Sequence, residues 1–244
     1  MGVCYAYKFI RHDDGTVDAV NLKDYNRLLR EGKIVETKDG FHYAKDTIGV
    51  LLNGQSLPMR WDLIPEGFAK GKGLTVGEAV KRKNSRAKDP ETGRAVGFSS
   101  FNARIETVRS LPSFKGPWWS GKRCLVPVDA FKERPNMDEA PKEHKGREYE
   151  IALPETMYFA GIWDTWTGKD GDTLDSCTVI TMSSEGLEPL RAIWHERVPV
   201  LLKEEDCQQW LDLKTTPETA FELCRQVGLE YLSISEVIKP PKSN

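Results

Sequence analysis

No apolar run in this 244-residue chain approaches the roughly 18–20 residues that a membrane-spanning helix needs. The opening Met-Gly-Val-Cys-Tyr-Ala-Tyr-Lys-Phe-Ile-Arg has no basic segment ahead of an apolar one and no small-residue cleavage site. It is therefore not expected to act as a secretory signal, and a cytoplasmic location is the default. Cysteine is scarce: Cys4, Cys124, Cys177, Cys207 and Cys224 are odd in number, widely spaced and free of any Cys-x-x-Cys pair. That pattern argues against a disulfide framework and against a structural zinc site. Nothing calls for a metal or an organic cofactor. Internal repeats, low-complexity tracts and composition breaks that would mark a linker are also missing.

What is there fits a soluble globular protein with a sizeable core: 39% hydrophobic and 30% charged residues. The net charge of −2 does not advertise nucleic-acid binding, but its distribution is uneven. Between Lys70 and Arg104 there are nine basic residues against three acidic ones, so that segment is +6 and the remainder −8. Such asymmetry is the footprint of a phosphate-binding face; a solvated loop or helix face is the alternative that charge alone leaves open.

Residues 4–10, 47–52 and 57–61 read as strands, and residues 21–30 as a helix with Leu22, Tyr25, Leu28 and Leu29 on one face. Thr75 opens a short helix, and the polar, turn-rich residues 84–97 read as a loop. Residues 123–133 form a strand in which Pro127 implies an edge or a bend. A charged loop over 136–147 precedes three successive antiparallel strands at 149–153, 157–166 and 174–182. Helices follow at 203–213 and from Thr216 as N-cap, with Pro217 at the first helical position, to a stop before Gly228. Strands interleaved with few helices, without regular alternation, predict an α+β fold. The expected architecture is one domain over 1–238, a mainly antiparallel bent or barrel-like sheet with peripheral helices, and a tail at 239–244.

Four residues carry the chemistry: Cys4, Asn102, Glu133 and His195. Thiol, amide, carboxyl and imidazole together are the groups of covalent catalysis by cysteine. Cys124 and Cys177 lie in strand-like runs and Cys224 on an apolar helix face, where a thiol is a small buried hydrophobe, and Cys207 reads as structural too. His12, His42 and His144 sit in polar surroundings without a supporting motif.

The blocks around these residues resemble the SRAP family of abasic-site processing proteins. The matching stretches are Met-Arg-Trp-Asp-Leu-Ile-Pro from Met59, Asn-Ala-Arg-Ile-Glu-Thr from Asn102, and Arg-Cys-Leu-Val-Pro-Val-Asp-Ala-Phe-Lys-Glu from Arg123. Phe-Ala-Gly-Ile-Trp from Phe159, Val-Ile-Thr from Val179 and His-Glu-Arg-Val-Pro-Val from His195 complete them, in the family's order, over roughly 57–212. The resemblance implies a protein that binds single-stranded DNA and crosslinks to abasic sites, a DNA-damage function, as a monomer and nucleoid-associated in a bacterium. It places Asn102 beside the cysteine, Arg104 on a phosphate, and Glu133 and His195 on proton transfer. A structural salt bridge to Glu106 is the alternative for Arg104. Lys132 and Arg134 flank Glu133 and would tend to keep it ionised. Candidate DNA contacts are Arg60, Trp61, Phe68, Lys81, Arg82, Lys83 and Arg86, with Phe68 the better wedge. Trp118 and Trp119 are either exposed or buried, while Trp163 and Trp210 read as buried.

The family begins Met-Cys-Gly-Arg, whereas this chain begins Met1-Gly2-Val3-Cys4. Three readings follow: a start at Val3 read from a GTG codon, autoproteolysis before Cys4, or a member that does not crosslink. Accordingly, the alternatives to a crosslinking enzyme are a cysteine autopeptidase acting on its own N-terminus and a plain single-stranded DNA binder.

Overall fold

A computed structural model describes residues 6–8 (as backbone), 27–28, 30–34, 40–69, 72–88, 93, 95–225 and 232–238. Strand β6 (Arg123–Glu133) is the axis of the sheet. It runs antiparallel to β7 (Tyr149–Thr167) from Arg123 opposite Ile162 to Glu133 opposite Tyr149. β7 pairs with β8 (Thr173–Ser183), and β8 lies parallel to β4 (Gln55–Trp61) at Arg60–Ser176 and Trp61–Cys177. β4 forms a hairpin with β3 (Thr47–Leu52), which returns to β6 where Leu51 faces Leu125. The ring β6–β7–β8–β4–β3 closes into a barrel. Shorter strands extend it: β1 (Ala6–Lys8) on β6, β2 (Phe41–Tyr43) on β1, β5 (Asn102–Arg104) and β9 (Arg197–Pro199) on β8, and β10 (Leu201–Leu202) and β11 (Ser233–Glu236) on β7. The expected α+β single domain with a barrel-like sheet is thus what forms.

Side-chain alternation divides the core in two. Cys124, Val126 and Val128 pack with Val50, Met59, Trp61, Phe159 and Val179. Leu125 faces the other way, with Leu51, Ala160, Ile162, Ile180, Trp118 and Trp210. Because both faces are covered, β6 is buried almost throughout, and its Cys124–Val128 stretch is a continuous apolar run. Each large side chain so buried contributes about 1.5–3 kcal/mol. At Gly161 the strands approach so closely that a Cβ would meet Cys124 Sγ at 2.8 Å and the Thr178 carbonyl at 2.9 Å.

Pro127 marks a bend, not an edge. It faces Tyr158 within the ladder, between the point where β6 meets β3 (Leu125) and the stretch where it meets β1 (Ala130 to Lys132). The two strands expected at 149–153 and 157–166 are one. Residues 153–156, including Pro154, are skipped in the register between Val128–Met157 and Ala130–Ala152, so the proline interrupts the pairing without ending the strand.

The helices follow their caps. α1 (Val76–Lys83) opens with a capping box in which Thr75 accepts from the Glu78 N–H and Glu78 from the Thr75 N–H. α2 (Lys115–Trp119) and α3 (Glu188–Ala192) are single turns, and α4 (Glu204–Leu211) is two residues shorter than expected at its C-terminal end. α5 (Pro217–Leu223) has the predicted Thr216 cap but stops at Leu223, earlier than expected. Of the expected first strand and helix, residues 6–8 are extended and Arg27, Leu28 and Arg30 helical; the other positions lie outside the described residues. Among the described residues no helix is long and apolar enough to cross a membrane.

Candidate functional site

Glu133 ends β6, and His195 lies in the turn between α3 and β9; both side chains are fully buried. His195 Nε2 sits 3.2 Å from Glu133 Oε2. The other ring nitrogen, Nδ1, lies 2.8 Å from the Arg134 carbonyl oxygen. A carbonyl only accepts, so Nδ1 carries hydrogen, and the tautomer is fixed. Nε2 and a carboxylate oxygen would repel unless a proton lies between them. A proton between the two groups removes that repulsion.

The backbone holds the imidazole in place. Trp194 adopts a left-handed φ of 59°, a conformation that costs a bulky residue of order 1–3 kcal/mol and turns the chain sharply before His195. Its carbonyl compensates by accepting from the Asn136 and Met137 N–H groups at 2.9 and 3.1 Å. The His195 N–H donates to the Leu190 carbonyl at 3.1 Å, and Ser184 Oγ donates to the His195 carbonyl at 2.6 Å. Glu196 N–H donates to Asn136 Oδ1 at 2.9 Å.

Burial alone would pull the His195 pKa down, but the Glu133 charge and contact, aided by the Arg134 carbonyl, hold it above the ordinary value. A raised folded pKa means that the imidazolium stabilises the fold fully below the unfolded value of about 6.5, and that this contribution is lost as pH rises through the folded value. An NMR titration of the His195 ring should accordingly show a midpoint above 6.5 that falls in Glu133→Gln. A midpoint that does not move would mean that Glu133 does not set it.

The flanking cations do not take the Glu133 contact. Lys132 places its ammonium 3.8 Å from the Phe41 ring centroid and 3.2 Å from the Tyr43 hydroxyl, and Arg134 Nη2 lies 2.6 Å from Glu148 Oε2. Asn102 and Arg104 are carried by β5, opposite Val179 and Thr181, while Ala103 between them is buried. Glu106 does not pair with Arg104 as the alternative had it: Arg197 forks onto its carboxylate at 2.7 and 2.9 Å. Arg104 is exposed and lines, with Ser183, Arg191, Glu196 and Arg197, a cleft of about 560 Å³. The structure thus brings Glu133 and His195 into contact and sets β5 and β9, which carry Asn102, Arg104 and Arg197, on the same strand β8. Cys4 lies outside the described residues.

Two expected DNA contacts are corrected. Trp61 is fully buried and donates its indole N–H to the Phe101 carbonyl at 2.8 Å, so its ring cannot receive a base. Lys83 is buried as well, with Nζ 2.5 Å from Asp62 Oδ1 and 3.1 Å from the Phe98 carbonyl. Arg60 is half-buried, donating to the Lys45 carbonyl at 3.0 Å. Lys81 and Arg86 are exposed and Arg82 half-buried. Phe68 is half-buried against Phe98, centroids 5.6 Å apart. Trp210 is buried as expected, but Trp163 is only half-buried.

Sequence reasoning missed Asp62, whose carboxylate also receives the Ser100 N–H at 2.8 Å, and Ser184 and Asn136, which pin the His195 turn. A carboxylate inside the apolar run Met59–Pro65 was the available signal for Asp62; nothing local marked the other two. Burial pushes the Cys124, Cys177 and Cys207 thiols well up and Cys224 up to about 12, so all four are protonated and inert at neutral pH.

Fold and site are thus a closed barrel whose strand β6 ends on a buried glutamate met by histidine. Residues 53–240 match SRAP, the SOS response associated peptidase family, and the chain belongs to it. It is 32% identical over 154 residues to the abasic site processing protein YoqW of Bacillus subtilis, covering 61% of this chain and 66% of that protein. Similarity extends to YobE of the same organism (36% over 122 residues; 50% and 52% covered) and to HMCES of Rattus norvegicus (25% over 217; 77% and 54%), both also called abasic site processing proteins. The chain thus matches between about half and two-thirds of the length of these relatives. Its fold is shared with a protein from Bacteroides thetaiotaomicron (TM-score 0.68, 19% identity, 96% and 92% covered) and one from Bordetella bronchiseptica (TM-score 0.65, 18%, 97% and 100%).

Proposed function

We propose that this protein processes abasic sites in single-stranded DNA by forming a covalent crosslink through Cys4. The observation that carries the reading is the buried contact of Glu133 with His195 at the end of β6, Oε2 to Nε2 3.2 Å. The neighbouring strand supports it: β1 pairs with the end of β6 that carries Glu133, Ala6 opposite Lys132.

An abasic deoxyribose equilibrates between a closed hemiacetal and an open aldehyde. Opening takes a proton from the anomeric hydroxyl and gives one to the ring oxygen, an exchange suited to two groups that share a proton. With Cys4 as the first residue, its α-amine then adds to the aldehyde carbon; the C–N bond forms, water leaves and a Schiff base results. The thiol closes the ring: sulfur bonds to the same carbon, the C=N electron pair moves to nitrogen, and nitrogen takes the proton. The product is a five-membered thiazolidine, with no change of oxidation state. An α-amine with a pKa of about 7.7–8.0 is roughly a fifth to a third neutral at pH 7.4, whereas lysine at about 10.4 is almost wholly protonated. Asn102 can donate to the sugar hydroxyl or oxyanion, and Arg104 can fork onto a phosphate.

Incubation with single-stranded DNA containing one abasic site is expected to give a heat-stable adduct that is lost in Cys4→Ala. Intact mass of protein expressed from its native gene should then place Cys4 first. N-terminal cleavage without adduct would favour the autopeptidase, and a salt-sensitive gel shift alone a plain binder. Absence of binding would remove the DNA assignment.

A further inference from the structure

Trp118 and Trp119 are neighbours on α2 with opposite surroundings. Trp118 is buried edge-on against Trp210 and Phe221, with centroids 6.3 and 6.5 Å away. Trp119 is 51% exposed. Its indole N–H donates to the Arg109 carbonyl at 3.1 Å, which fixes the ring and satisfies its one polar atom. What the ring offers solvent is therefore apolar π surface. Leu111, 44% exposed, lies in the same run of turns.

The segment that carries it is basic. Between Arg104 and Lys122 the only acidic residue is Glu106, whose carboxylate Arg197 holds, and with Lys122 paired to Asp164 at 2.6 Å the remaining cations are Arg104, Arg109 and Lys115. The turns joining Arg104 to α2 are continuous: the Arg104 carbonyl accepts from Thr107, the Thr107 carbonyl from Leu111, and the Leu111 carbonyl from Lys115. A fixed, exposed aromatic ring on a basic segment that starts at the predicted phosphate contact matches what an unpaired nucleotide requires, a stacking surface beside positive charge. A protein partner would select a patch depleted of lysine.

We propose that Trp119 is a stacking platform for an unpaired base of the same DNA strand whose phosphate lies at Arg104. The inference rests on the DNA reading above. Every base has a π face, so the contact is independent of sequence and serves a protein that must engage damage wherever it falls.

The test is binding of the full chain to a labelled single-stranded oligonucleotide without an abasic site, which separates binding from crosslinking. Stacking on an aromatic ring corresponds to roughly 5- to 150-fold in affinity, so Trp119→Ala should weaken binding within that range and Trp119→Phe should retain most of it. Full binding by Trp119→Ala, with weaker binding by Arg104→Ala, would overturn the platform and leave the DNA reading standing. Failure of the native protein to bind would overturn both. If light scattering shows a dimer that Trp119→Ala abolishes, the surface belongs to self-association, and the platform is overturned.

Discussion

Glu133→Gln should slow adduct formation on single-stranded abasic DNA by about 100-fold or more, the usual contribution of a positioned acid–base group. The amide keeps the shape of the carboxyl but cannot share a proton with His195 Nε2, 3.2 Å away in the native protein. It also removes the charge that holds the imidazole pKa up. DNA affinity should stay within a few-fold of native, because neither side chain is exposed. Single-turnover kinetics with saturating protein separates the two quantities. An unchanged rate would remove Glu133 from the chemistry.

The second large effect is on stability. Asp62 and Lys83 are both buried, and the carboxylate also receives the Ser100 N–H and hydroxyl. Burial lowers the Lys83 pKa, and Asp62 is what opposes that shift. Removing one partner of such a pair leaves the other without compensation and costs about 3–5 kcal/mol. Asp62→Ala should therefore lower the melting temperature by about 10 °C for a chain of this size. Adding Lys83→Met should restore most of the loss, since a buried pair can be replaced by apolar groups with little penalty. A single variant that melts within a degree or two of native would show that the pair carries no such weight.

Much of this was legible in the sequence. The strand ending at Glu133 and the block around His195 were visible as motifs, because each is fixed by neighbours in sequence. Their contact was not, because a turn pinned by Asn136 and Ser184 makes it, and neither residue belongs to the His195 block. Lys83 was misread by counting charge along a segment without asking which way each charge points. It lies four residues after Ala79, one helical turn away, and Ala79 and Lys83 are the buried face of α1. Trp61 follows Met59 at strand spacing and shares its inward face. In both cases periodicity held the answer that composition obscured. Trp118 and Trp119 could not be told apart that way, since a one-turn helix has no period to read.

The seam of the barrel is unequally paired. Backbone pairing between β3 and β6 is confined to Leu51 opposite Leu125, while β6 and β7 are laced from Arg123 to Glu133. Side chains bridge that seam instead, with Val50 of β3 and Val126 of β6 in the same buried cluster. Ladder support is thus thin on the β3 side of β6, while the far end of the strand lies between Tyr149 and His195. The lightly paired seam and the buried Glu133–His195 contact thus lie toward opposite ends of one strand.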